Sequence, residues 1–60
     1  MFFENYFSYL KFLLESSING KELSEAVGAI NFASIFHLIN DDEESLLRSL
    51  LRSEINRIYF

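Results

Sequence analysis

The stretch NDDEESLLRSLLRSEINRI, residues 40–58, decides how the chain folds. Leu46, Leu47, Leu50, Leu51, Ile55 and Ile58 recur at spacings of three and four and draw one apolar stripe on a helix. Ser45, Arg48, Ser49, Arg52, Ser53 and Asn56 fill the opposite side, and Glu44 stands four residues before Arg48, the favourable order for a helical ion pair. Four consecutive carboxylates, Asp41 to Glu44, precede the stripe, where a helix start carries its partial positive charge and where Asp41 is suited to cap it. The pattern predicts a helix over about 42–59.

Upstream, Asn19-Gly20 favours a turn, and Asn19 followed three residues later by Glu22 has the form of a capping box that opens a new helix. Residues 21–39 follow as a second helix. Leu23, Val27, Ile30, Phe32, Ile35, Phe36, Leu38 and Ile39 point all round it and no charge follows Glu25, so it is expected to be central and buried. Ala26, Ala29 and Ala33 form a small-residue face on it that would admit a second helix backbone at close range. An alternating strand over 29–39 is the competing reading, but no second strand is present to pair with it. Gly28 is the one position where this helix is expected to be irregular.

In the first segment, residues 2–17, Phe3, Tyr6, Phe7, Leu10, Leu13 and Leu14 line one face and Glu4, Ser8, Lys11 and Glu15 the other. Phe2 and Tyr9 widen the apolar arc to about 160°, with Phe12 beyond it, more than one neighbouring helix covers. The fold expected is all-α: a single helical domain over residues 1–60, a small three-helix antiparallel bundle completed by dimerisation through the first two helices.

The composition bounds what such a bundle does. Its 60 residues are 50% hydrophobic and include seven Phe. By mass scaling the folded monomer would still expose roughly 4,000 Å², leaving a large apolar patch. With no Cys, neither a disulfide nor a thiolate metal site supports the fold, and packing must do so alone. A net charge of -4 has the wrong sign for a phosphate binder that ignores sequence. The longest uncharged run, residues 26–40, spans 15 positions where a membrane-crossing helix needs about 20, and Met1 to Leu14 lacks the basic start and small-residue cleavage site of a signal peptide. A cytoplasmic location is expected, with no membrane and no nucleic acid as partner.

No constellation in the chain carries catalysis. His37 is the sole imidazole, and with Asp41 four residues on it offers two ligands where zinc wants three or four; it reads as a partly buried, hydrogen-bonded side chain near a helix end. None of the eight Ser lies in a Gly-x-Ser-x-Gly elbow. The acidic run is consecutive, whereas a calcium loop spreads its ligands over about twelve residues. Neither metal nor cofactor is expected. A helix-turn-helix reader has the right helix lengths and an Arg48, Arg52, Asn56 face, but four carboxylates at the recognition helix start would repel phosphate. LRSLL at 47–51 matches a groove-docking motif, yet any Leu-rich amphipathic helix produces it.

The function expected is a small acidic interaction module that docks on a protein partner as regulator, inhibitor or assembly factor, with no catalysis. Its candidate surface comprises Phe2, Phe3, Tyr6, Tyr9 and Phe12 on the first helix, Ala26, Ala29 and Ala33 on the second, and Arg48 and Arg52 on the third. A helix-turn-helix nucleic-acid binder and a membrane-surface protein using the aromatic arc are the alternatives. The wealth of Phe, Ile, Asn and Tyr fits an AT-rich bacterial or phage genome.

Overall fold

Three helices, α1 (Tyr6–Ser16), α2 (Gly20–Ile35) and α3 (Asp41–Tyr59), make up a computed structural model that describes residues 4–60. No strand occurs among the described residues, and each helix packs against the other two. Phe2 and Phe3, named above as candidate surface residues, lie outside the described residues.

Each helix starts on an Asn. Asn5, Asn19 and Asn40 adopt extended backbone and accept, through their side chains, the amide hydrogens of Ser8, Glu22 and Glu43. This satisfies one of the donors that a helix start leaves without a partner. At α3 the bond is reciprocal: Glu43 Oε1 accepts from the Asn40 amide at 3.0 Å, completing a capping box. Asp41 is therefore the first residue inside the helix and not its cap, a correction of one position. At α2 the returning bond is displaced by one residue, since Glu22 Oε1 accepts from Ile18 and not from Asn19.

The second helix ends four residues earlier than its apolar run suggests. Phe36 closes it, and His37 turns into the left-handed region at φ 58°. The His37 amide donates to Ser34 O at 3.2 Å and the Leu38 amide to Ala33 O at 2.8 Å, the two bonds of a Schellman motif. The turn brings Ile39 back into the core and delivers Asn40 to its capping position. Gly28 lies within an unbroken helix and nothing packs over it, so the expected irregularity is absent.

Polar contacts fix how the helices run. Ser34 Oγ donates to Glu44 Oε1 at 2.9 Å, Arg48 donates to Asn31 Oδ1 at 2.7 Å, and the Tyr59 ring lies over Gly20. Numbers falling along α2 meet numbers rising along α3, so these two helices are antiparallel. At the far end Arg57 donates to the backbone carbonyl of Ser17 and pairs with Glu54, tying the end of α1 to the end of α3. Only residues 17–19 separate α1 from α2, which reverses the chain and gives an up-down-up bundle.

Leu10, Leu14, Leu23, Ala26, Ile30, Ala33, Ile39 and Leu47 form the core, with Phe7, Leu13, Ala29, Leu50, Leu51 and Ile58 packed round it. Burying each Leu or Ile fully stabilises the fold by about 1.5–3 kcal/mol. The α3 stripe is narrower than its leucines imply. Leu47 centres it, while Leu46 and Ile55 sit about 100° and 80° to either side at helical spacing and are exposed. Glu54, almost in line with Leu47, is buried in their place with Arg57 as its counter-ion.

The expected burial of the middle helix is corrected in the same way. Leu23, Ala26, Ile30 and Ala33 face inward, but Phe32, Ile35 and Phe36 are 49%, 70% and 61% exposed. Two neighbours cover only part of a helix circumference, and among the described residues no further element packs on the rest. The accessible surface, 4266 Å², is close to the value expected from mass.

Candidate interaction face

Along α1, the row Ser16, Leu13, Tyr9, Tyr6 follows helical spacing, and along α2 the row Glu22, Glu25, Ala29, Phe32, Phe36 does so. Ser16, Leu13 and Tyr9 face Glu22, Glu25 and Ala29 across an open groove of about 320 Å³, with Ser17 and Ala26 also on its walls. Both rows continue beyond the groove into aromatic pairs. Tyr6 and Tyr9 meet edge to face with ring centroids 5.7 Å apart, and Phe32 and Phe36 lie tilted at 4.6 Å. The face thus runs from two carboxylates at one end to four aromatic rings at the other. Ile35 and Leu38 are also exposed.

The sequence-derived candidates divide on this geometry. Tyr6, Tyr9 and Phe12 are each a little over one third exposed on α1, with Tyr6 and Tyr9 in the groove row. The small-residue face is the clearest correction. Ala26 and Ala33 are 2% and 0% exposed, because the close helix approach they permit is used inside the chain to pack α2 on its neighbours. Ala26 and Ala29 both line the groove, and Ala29 is the one of the three that keeps partial exposure. Sequence reasoning missed Phe32, Ile35 and Phe36 as surface by assigning them to a buried helix. The available signal was that an apolar circumference on one of only three helices cannot be covered completely.

Arg48 and Arg52 lie on the other side of the molecule, in a shallow polar depression with Asp41, Glu44, Ser45 and Ser49. Arg48 is not simply solvated as expected. It is half-buried, pairs with Glu44 Oε2 at 3.1 Å and donates to Asn31. The Ser34 hydroxyl, first, and the Arg48 guanidinium beside it hold the Glu44 carboxyl below the ordinary glutamate range. Arg52 is exposed on the same face. Carboxylates interleave with both arginines, so the depression is of mixed charge.

His37 is exposed, not partly buried, because its role at the turn is played by the backbone while the ring projects outward. Among the described residues no three His, Cys, Asp or Glu side chains are grouped so as to hold a metal ion, and no helix is long and apolar enough to cross a membrane. Comparison with protein-family models, curated proteins and solved structures returns no match to this chain.

Proposed function

We propose that this chain is a small helical interaction module that acts in the cytoplasm by docking on another protein, as a regulator, inhibitor or assembly factor, with no chemistry of its own. The observation that carries the reading is the aromatic end of the α1–α2 face, where Phe32 and Phe36 lie tilted at 4.6 Å yet are 49% and 61% exposed. A few desolvated side chains carry most of the affinity of a typical protein interface, and aromatic residues, Phe among them, are enriched at its core. In water the same rings forgo their burial energy, which gives the free chain a reason to associate with a copy of itself through α1 and α2. Self-pairing and partner docking then compete for one surface, so binding a partner converts the homodimer to a heteromer.

Nucleic-acid binding receives less support, since Arg48, the first of the candidate phosphate contacts, already satisfies Asn31 and Glu44. The test is affinity capture from the native cell with the wild-type chain and with a Phe32→Ser, Phe36→Ser variant of unchanged circular dichroism. A partner retained by the first and lost by the second supports the reading; equal capture by both removes it.

A further inference from the structure

The acidic end of the α1–α2 groove differs in chemistry from its aromatic end, and that difference names an occupant. Leu13, Ala26 and Ala29 give it an apolar lining, and Glu22 and Glu25 line it with them. Glu22 gives one oxygen to the Ile18 amide at 2.9 Å, and its other oxygen has no hydrogen-bond partner among the described residues. Glu25 is exposed and makes no ion pair among the described residues, whose ion pairs are Arg48 with Glu44 and Arg57 with Glu54. Lys21, one turn before Glu25 on α2, does not close on it. An open groove lined in part by apolar side chains and bordered by two carboxylates without an ion-pair partner among the described residues complements a side chain with an aliphatic stem and a cationic head. Arg fits best, because its stem buries on apolar surface while the planar fork offers donors to more than one carboxylate oxygen.

We propose that the partner presents an arginine that enters this groove, its stem along Leu13, Ala26 and Ala29 and its guanidinium between Glu22 and Glu25. The assignment rests on the docking reading above and states which chemistry the partner brings to it. The aromatic end supplies contact area, and the arginine fixes register along the groove, since a displacement by two helical turns would put the cation on Ala29 and Phe32.

The test is a nuclear magnetic resonance titration of the isotope-labelled full chain with N-acetyl-arginine amide and with its neutral isostere, N-acetyl-citrulline amide. The arginine derivative is expected to shift the amides of Leu13, Ala26 and Ala29, and the citrulline derivative to leave them in place. Glu25→Gln should weaken the response by about five-fold, the upper range for an exposed ion pair, and Ala29→Leu, which fills the trough without altering charge, should abolish it. The Phe32→Ser, Phe36→Ser variant should keep the response, since it leaves the acidic end intact. Equal shifts from both compounds, or none at the groove, overturn the arginine assignment. If those outcomes occur while the double Phe variant still loses its partner, the docking reading stands without this occupant; if the groove binds arginine but the double Phe variant retains the partner, the docking reading falls.

Discussion

Replacing Arg57 with Ala should be among the most damaging single changes outside the apolar core. The guanidinium has two partners drawn from different ends of the chain: Glu54, one turn earlier on α3, and the carbonyl of Ser17, where α1 has just ended. Ser17 is 2% exposed and the Glu54 side chain 11%, so water cannot fully replace the lost donor at either. Removing one partner of a fully buried ion pair costs about 3–5 kcal/mol. Arg57 itself is 46% exposed, which admits solvent to the pair and discounts that figure to about 2 kcal/mol. For a domain of this size each kcal/mol moves the midpoint by roughly 4–8 °C, so the melt should fall by about 8–16 °C. Thermal and urea unfolding followed by circular dichroism measure it. Glu54→Leu combined with Arg57→Ala should be less destabilised than Arg57→Ala alone, because no buried carboxylate is then stranded. If the single variant melts within a degree or two of wild type, or the double variant is worse, the clamp does not hold α1 to α3.

Three further outcomes follow from the caps, the turn and the polar bridge. Asn40→Ala should lower stability by about 1 kcal/mol in urea unfolding while Asp41→Ala lowers it less, since Asn40 is the residue that caps α3. His37→Gly should raise the melting midpoint, because at φ 58° a side chain strains the backbone by about 1 kcal/mol that glycine avoids. The depressed Glu44 carboxyl contributes stability that is present above its ordinary titration range and is lost as pH falls through the lowered one. Acid titration of the melting midpoint should therefore show a loss on the low-pH side that is smaller in Glu44→Gln.

Much of this architecture is legible in the sequence, and particular residues explain what is not. Helix number and type follow from spacing, and Asn19 with Glu22 marked the start of α2 because a cap is a local interaction between near neighbours. Its end was not marked. His37 enters the left-handed region without being Gly or Asn, and that choice depends on Ile39 reaching the core, a tertiary contact that no local pattern encodes. The same holds for Glu54, which periodicity places in line with Leu47 but whose burial depends on Arg57 as its counter-ion. At the candidate face, Tyr9 was legible as the edge of an over-wide apolar arc, and Tyr6 as part of the arc itself. Phe32 and Phe36 were not, because an apolar circumference says that burial is wanted and leaves open which side is covered. Ala26 and Ala33 illustrate the converse, since a small-residue face serves internal and external packing equally well.

The central claim is that the aromatic end of the α1–α2 face is a contact surface. Light scattering behind a sizing column, run over a range of concentrations on the wild-type chain and on the Phe32→Ser, Phe36→Ser variant, tests it most directly. The wild type should approach twice its chain mass of 7.1 kDa as concentration rises while the variant, equally helical, stays at the mass of one chain. A wild-type chain that remains a folded monomer throughout, or a variant that associates as readily, would contradict it.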